Sequence, residues 1–269
     1  MQANFLNAGN NMVDKKAFND TARELLESKK KKDGIKDYPI LNFTKKDLKK
    51  LRRGVVETLK HSDVKPAGGI VYEKTKRVFD VTVASVVGLL SIIPVTGFAI
   101  AIYLYDGGNP FFVQVRLTEK GKPFKMYKLR SMCVDAEAKF AEVQKANNCD
   151  GIAFKSDKDP RITPIGHFIR KTSIDELPQL INVLKGDMSI IGPRPPLPRE
   201  VVLYTPKEMD RLLVKGGLAC VCQTEGRSDM SFDEWMHTDV EYIKNRNMAL
   251  DIKILIKMVI AVLKRKGAE

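Results

Sequence analysis

The sequence predicts a mostly helical α/β protein with one small β-hairpin or sheet. A single proline-broken re-entrant helix would hold it at a membrane as a monotopic protein, with its soluble domain on the cytoplasmic side. Three observations carry this. Val81 to Tyr105 is a run of 25 residues without a charge, interrupted by Pro94. Two short β-rich runs, Phe111–Arg116 and Phe124–Arg130, flank the turn signal Lys120-Gly121-Lys122-Pro123. Elsewhere apolar residues recur mainly at helical spacing.

As one straight helix the uncharged run would measure about 37 Å, enough for a hydrocarbon core of about 30 Å. Pro94 lacks a backbone donor and kinks or breaks a helix at its middle. Basic residues also stand on both sides: Lys74, Lys76 and Arg77 before, and Lys120, Lys122, Lys125, Lys128 and Arg130 after. Lys/Arg-rich flanks stay cytoplasmic, so flanks of one kind imply a helix that enters, bends at Pro94 and returns. Each arm, about 20 Å long, is then too short to cross. A single span and a buried core helix are the alternatives.

Before this segment, Thr44-Lys45-Lys46-Asp47 is a capping-box signature, followed by Leu48, Leu51, Val55 and Leu59 at helical spacing among lysines and arginines. Such a basic helix suits a membrane surface or a solvated scaffold position equally. Pro66-Ala67-Gly68-Gly69 reads as a linker. The boundaries that follow are 1–73 for a basic helical extension and linker, 74–106 for the membrane helix, and 107–269 for the remaining domain. Within the last, 134–147 reads as a helix, and Leu250–Leu263 as an amphipathic helix lying on the domain or on lipid.

The formal net charge is +13, and residues 1–77 hold 19 Lys/Arg against 10 Asp/Glu. That excess suggests an anionic partner, either a membrane surface or nucleic acid. No nucleic-acid reading motif accompanies the charge, and such a function leaves the apolar run unexplained. Cys133, Cys149, Cys220 and Cys222 form no zinc-ligand pattern; Cys220-Val221-Cys222 is too closely spaced without a second pair. They read as reduced cytosolic thiols. The polar, asparagine-containing N-terminus does not look like a secretory signal.

Ser173-Ile174-Asp175-Glu176-Leu177-Pro178-Gln179-Leu180 concentrates the chemistry. Leu177, Leu180, Ile181 and Leu184 sit at the spacing of one buried helical face, and Gly186 supplies a stop. Asp175 and Glu176 then lie at the positive helix end, with Ser173 or Asp175 as the cap. Acidic residues there are ordinary capping. Their neighbourhood argues for more: Arg161, Arg170 and Lys171 upstream, and Arg194 fixed between prolines in Gly192-Pro193-Arg194-Pro195-Pro196 downstream. Carboxylates beside arginines suit phosphoryl transfer, because a guanidinium forks onto phosphate oxygens and a carboxylate holds Mg²⁺ or attacks phosphorus.

The order of motifs resembles the bacterial sugar transferase family, the monotopic polyprenyl-phosphate phosphoglycosyl transferases. The series runs Lys76-Arg77-x-Phe79-Asp80, a proline-broken apolar run, Gln114-x-Arg116 and Gly121-Lys122-Pro123-Phe124. It continues with Lys128-x-Arg130-Ser131-Met132, Asp159-Pro160-Arg161-Ile162-Thr163, Asp175-Glu176-Leu177-Pro178-Gln179 and Gly192-Pro193-Arg194-Pro195. The resemblance covers about residues 74–269. It implies an enzyme at the cytoplasmic face of the bacterial inner membrane. Such an enzyme moves a phosphosugar from a UDP-sugar to polyprenyl (undecaprenyl) phosphate with Mg²⁺ and releases UMP. The product would start a lipid-linked glycan for exopolysaccharide, capsule, O-antigen or glycoprotein synthesis.

By position, the resemblance makes Asp175 the nucleophile and Glu176 the Mg²⁺ ligand. Arg194 and Arg170 would be phosphate clamps, with Lys128, Arg130 and Arg161 as further candidates, and Gln223 and Arg227 as the retained members of a nucleotide- or sugar-contacting loop. That loop departs from the family pattern at 215–222, and Thr118 replaces a common glycine. Ile93-Pro94 stands where Ser-Pro is frequent. The altered loop motivates a second reading, a membrane-anchored adaptor of the same fold with impaired catalysis. The sequence leaves the sugar, and whether the chain forms a homo-oligomer, open.

Overall fold

A computed structural model describes residues 43–136, 139, 159–224 and 230–263. Helix α1, Lys45–Lys60, starts at Thr44, whose side chain and that of Asp47 complete the expected capping box. Its apolar stripe does not face lipid. Leu51 and Val55 are buried against Leu117, Val201, Val202, Tyr204, Met209 and Leu212, leaving the basic residues on the outer side. This is the scaffold alternative: the helix closes the far end of the β-hairpin.

Helix α2, Ile70–Asp106, is 37 residues long and continues without interruption through Pro94. Of the kink or break expected at Pro94, the break does not occur. It is the one helix among the described residues long and apolar enough to cross a membrane. Its first turns are bolted to the domain by the residues of the first motif. Lys76 Nζ donates to Asp251 at 2.7 Å, and Arg77 donates to the carbonyls of Val183 and Leu184 at 2.7 and 2.9 Å. Asp80 accepts from Ser189 Oγ and Ile190 N, both at 3.0 Å. Asp251 also takes the hydroxyls of Tyr72 and Tyr242, so this fully buried carboxylate has three donors. Such satisfaction is what a buried charge requires.

Strands β1, Phe111–Thr118, and β2, Lys122–Leu129, form the expected antiparallel hairpin, in register from Phe111 opposite Leu129 to Thr118 opposite Lys122. The turn falls slightly earlier than its sequence signal, at Glu119–Gly121, where Lys120 and Gly121 take positive φ angles of 54° and 66°. Helix α3, Pro164–Lys171, is capped by Thr163 Oγ1, which accepts from Gly166 N at 2.9 Å. The helix expected over 134–147 lies almost wholly outside the described residues.

A 3₁₀ turn, Ile174–Gln179, leads into helix α4, Leu180–Lys185, which ends at Gly186 in the left-handed conformation as expected. The buried face of this segment differs from the periodicity. Leu180, Asn182 and Val183 point inward, while Ile181 and Leu184 are exposed. The 3₁₀ entry shifts the phase of the helix, and Asn182 fixes the new one. Its side chain accepts from Tyr127 N at 3.1 Å and donates to Lys125 O at 2.7 Å, which sews the helix to β2.

Strand β3, Ser189–Ile191, is followed by helix α5, Pro198–Val201, helix α6, Pro206–Met209, and strand β4, Gly217–Ala219. β3 and β4 pair in parallel, Ser189 with Gly217 and Ile191 with Ala219. The backbones meet closely just beyond β3: a Cβ on Gly217 would stand 2.1 Å from Gly192 N, so only glycine fits. Helix α7, Val221–Thr224, and helix α8, Phe232–Asn245, then precede helix α9, Met248–Leu263. α9 matches the C-terminal expectation. Ile254 enters the main core with Leu180, Val183, Met188 and Ile190, whereas Ile252, Ile256, Val259 and Ile260 remain exposed.

Candidate active site

Ser173 turns the chain with a positive φ of 55° between α3 and the 3₁₀ turn, and its side chain makes no capping bond. Ser173 is the N-cap by position but the capping box does not form, the Asp175 cap reading does not hold, and Asp175 and Glu176 occupy the first turn of the 3₁₀ element. The reversal brings the end of α3, with Arg170, back toward Asp175. Arg170 Nε donates to Ser131 Oγ at 2.8 Å. Gly166 lets α3 approach this strand end, since a Cβ there would meet Ser131 O at 1.9 Å.

Lys128, on β2, reaches both carboxylates. Its Nζ is 2.9 Å from Glu176 Oε1 and 4.0 Å from Asp175 Oδ2. Arg194 Nη1 lies 3.9 Å from the same Glu176 oxygen. Asp175 is 7% exposed. Burial raises its pKa above the ordinary carboxylate range, and Glu176 adds to this, while Lys128, Arg170 and Arg194 pull the other way. A narrow cleft opens here, lined by Lys128, Glu176, Arg194, Arg116, Gln179 and Gly217 among others.

Arg194 is held by its backbone rather than its side chain. Arg116 Nη1 donates to Pro195 O at 2.9 Å, and Arg211 Nη2 donates to Arg194 O at 3.0 Å. Arg211 is itself buried, paired with Asp239 at 2.6 Å and stacked over the Trp235 ring at 4.8 Å. The Arg194 side chain remains about one-third exposed, at 35%, over the cleft. A guanidinium presented this way meets an incoming anion without rearranging its own strand.

The other sequence candidates have different places. Arg130 grips Asp106 at the end of α2 through two nitrogens, at 2.6 and 2.5 Å, and also binds Asn109 O. Arg161 forks onto Asp159, with its shortest contact at 2.6 Å. The Arg130 pair ties the end of α2 to β2, whereas the Arg161 pair is local to its own turn. Gln223 Oε1 accepts from Cys220 N at 3.1 Å, closing its own loop. Arg227 lies outside the described residues. Thr118 proves useful in place of glycine: its hydroxyl accepts from Gly216 N at 3.2 Å and anchors the altered loop. Sequence reasoning missed Arg116, Gln179 and Arg211. Gln114-x-Arg116 and Pro178-Gln179 were visible as motifs, but Arg211 carried no signal.

Among the described residues no three His, Cys, Asp or Glu side chains gather as a metal cluster. Adjacent Asp175 and Glu176 nevertheless fit Mg²⁺, which is typically held by one or two carboxylates plus substrate phosphates.

Residues 71–265 match the family described as bacterial sugar transferase. Among curated proteins the chain is 44% identical over 195 residues to "Galactosyl transferase CpsE" of Streptococcus agalactiae, covering 72% of this chain and 43% of that one. It is 42% identical over 205 residues to "Undecaprenyl-phosphate galactose phosphotransferase" of Salmonella typhimurium, covering 72% and 41%. With "Exopolysaccharide production protein ExoY" of Sinorhizobium fredii it shares 33% identity over 210 residues, covering 76% and 91%. The chain thus spans less than half the length of the first two relatives and most of the third.

Proposed function

We propose that this chain, which belongs to the bacterial sugar transferase family, is a phosphotransferase that moves a sugar phosphate from a UDP-sugar to a polyprenyl phosphate. The observation that carries the reading is one buried carboxylate, Asp175, set among Lys128, Arg170 and Arg194 beside a cleft that Lys128, Glu176 and Arg194 line. An Asp175 oxygen attacks the sugar-bearing phosphorus. The bond from that phosphorus to the bridging oxygen breaks, UMP departs, and a phosphosugar remains esterified to Asp175. A phosphate oxygen of the polyprenyl acceptor then attacks the same phosphorus and displaces the carboxylate, giving a polyprenyl-diphosphate sugar.

Lys128 and Arg170 favour the ionised carboxylate, and Arg194 offers its fork to the phosphate oxygens as charge shifts between them. Glu176, with Asp175 beside it, would hold Mg²⁺, which offsets phosphate charge when bound. A panel of UDP-sugars with polyprenyl phosphate and Mg²⁺ tests the whole reading. UMP should appear with at least one donor and disappear with EDTA. An intact, folded protein that releases none with any donor would instead be the anchored adaptor.

The membrane part of the proposal is a re-entrant helix at the cytoplasmic face of the inner membrane. It is supported by the tethers at both ends of α2. Tyr72 and Lys76 bind Asp251 near the start; Asp106 binds Arg130, and Ala99 and Ile102 pack with Leu129 and Ile169, near the end. Between them Val86, Leu89, Leu90, Ile92 and Ile93 stand exposed. A straight helix of this length would reach about 55 Å, so a bend near Pro94 suits anchors on one body. Labels fused to the two chain ends should both be modified from the cytoplasm; opposite sides would make α2 a span.

A further inference from the structure

Cys220 and Cys222 are both buried, and their sulfurs lie 2.7 Å apart. They occupy the loop that departs from the family pattern, and nothing in the phosphotransfer chemistry uses them. Their position is strategic. Cys220 directly follows β4, and β4 is bonded to the segment that carries Arg194: Gly192 N donates to Ala219 O at 3.0 Å, and Gly217 N to Pro193 O at 2.8 Å. After β4 the loop is closed by two local bonds, Cys220 N to Gln223 Oε1 and Gln223 N to Cys220 O, both at 3.1 Å. Its helix α7 is a single turn of four residues.

We propose that Cys220 and Cys222 form a reversible dithiol–disulfide modification site, and that closing it displaces Arg194 and slows phosphotransfer. Cysteines two residues apart can meet the Cα separation of roughly 4.4–6.8 Å that disulfides need. At 2.7 Å the two sulfurs are closer than unbonded sulfurs ordinarily pack, so they already face one another across the loop. Either sulfur can attack first, and the other then resolves.

The oxidant is a low-molecular-weight disulfide. One cysteine thiolate attacks one of its sulfurs and expels a thiolate, and the other cysteine's sulfur then attacks the resulting mixed disulfide and expels the second. Two electrons pass from the cysteine pair to the oxidant, and both cysteine protons end on the released thiols. The new bond, roughly 2.05 Å, ties Cys220 to Cys222 through Val221. That constraint competes with the Gln223 bonds at the end of β4. Its effect on Arg194 passes through the β4 hydrogen bonds described above.

The coupling to activity rests on the phosphotransfer reading, whereas the disulfide itself does not. The test uses the full chain in detergent or native membranes, equilibrated with mixtures of reduced and oxidised glutathione, then denatured and alkylated with N-ethylmaleimide. Both thiols fall in the single tryptic peptide 216–227, between Lys215 and Arg227. Under oxidising mixtures this peptide should take up no label and lose two hydrogens. UMP release should fall at least about 10-fold, on the scale of losing one charged contact, and return with dithiothreitol. Cys220→Ser and Cys222→Ser proteins, each compared with itself, should show the same rate with and without oxidant. A peptide that stays fully alkylated overturns the proposal, and so does a disulfide that leaves the rate unchanged. If no preparation, reduced or oxidised, turns over any UDP-sugar, it is the phosphotransfer reading that fails. The peptide mass then still decides the disulfide, and a UDP affinity unaltered by oxidation rejects its reach to Arg194.

Discussion

Asp175→Asn should lower UMP release by about 10³-fold or more while leaving the protein as stable as before or more so. The loss follows from replacing the anionic carboxylate proposed to bond to phosphorus with a neutral, weakly nucleophilic amide, for which neighbouring cations cannot substitute. The stability follows from the raised pKa of Asp175, caused first by burial and then by Glu176. A carboxyl whose folded pKa lies above its unfolded one is best tolerated when protonated. Its contribution is complete below the unfolded pKa and is lost as pH rises through the folded value. At neutral pH the charged form therefore costs stability, and a neutral amide of the same shape removes that cost. The same shift places the acidic limb of the pH–rate profile above the ordinary carboxylate range, because the nucleophile must be ionised. A variant with measurable turnover would remove Asp175 as nucleophile; a sharply lower thermal midpoint would contradict the electrostatic account.

The second large effect is expected far from the reacting atoms. Asp239→Ala should destabilise the fold by about 3–5 kcal/mol, because it leaves buried Arg211 with neither counter-ion nor hydrogen-bond acceptor. Arg211 and Asp239 are each 1% exposed in their side chains and 2.6 Å apart. Burial pushes the Asp239 carboxyl up to about 6 against the opposing charge of Arg211. With the sign as for Asp175, stability from this group is full near the ordinary carboxylate pKa and declines as pH rises through about 6. In the variant that pH dependence should vanish. Arg211 also holds the Arg194 carbonyl, so kcat/KM for the UDP-sugar should fall together with the denaturation midpoint. Loss of stability without any kinetic change would show that Arg194 keeps its place unaided. This variant and Asp175→Asn separate the two jobs of buried charge in the protein, chemistry in one case and positioning in the other.

Much of this was legible in the chain because it depends on short-range pattern. The hairpin follows from β-rich runs around a turn, the membrane helix from an uncharged run, and the stop at Gly186 from a residue that tolerates a left-handed backbone. The adjacency of Asp175 and Glu176 is covalent, and the motif order that marks the family needs no coordinates. The capping box did not form because Ser173, although the N-cap by position, spends its unusual backbone angle on reversing the chain.

One long apolar helix, a hairpin, and a pair of carboxylates in an arginine-rich neighbourhood can all be read from the chain's residues. Which cations those carboxylates meet depends on the packed fold. Lys128 arrives from β2, Arg170 from α3 and Arg194 from the turn after β3, whereas Arg130 and Arg161 are spent on Asp106 and Asp159. It likewise decided that α1 covers the core and that Ile181 and Leu184 face outward. The physical reason is common to all of these. A charge or an apolar face announces that it needs a partner, but the choice among partners is made by long-range packing, where a contact such as Asn182 on β2 fixes the rotation of a whole helix.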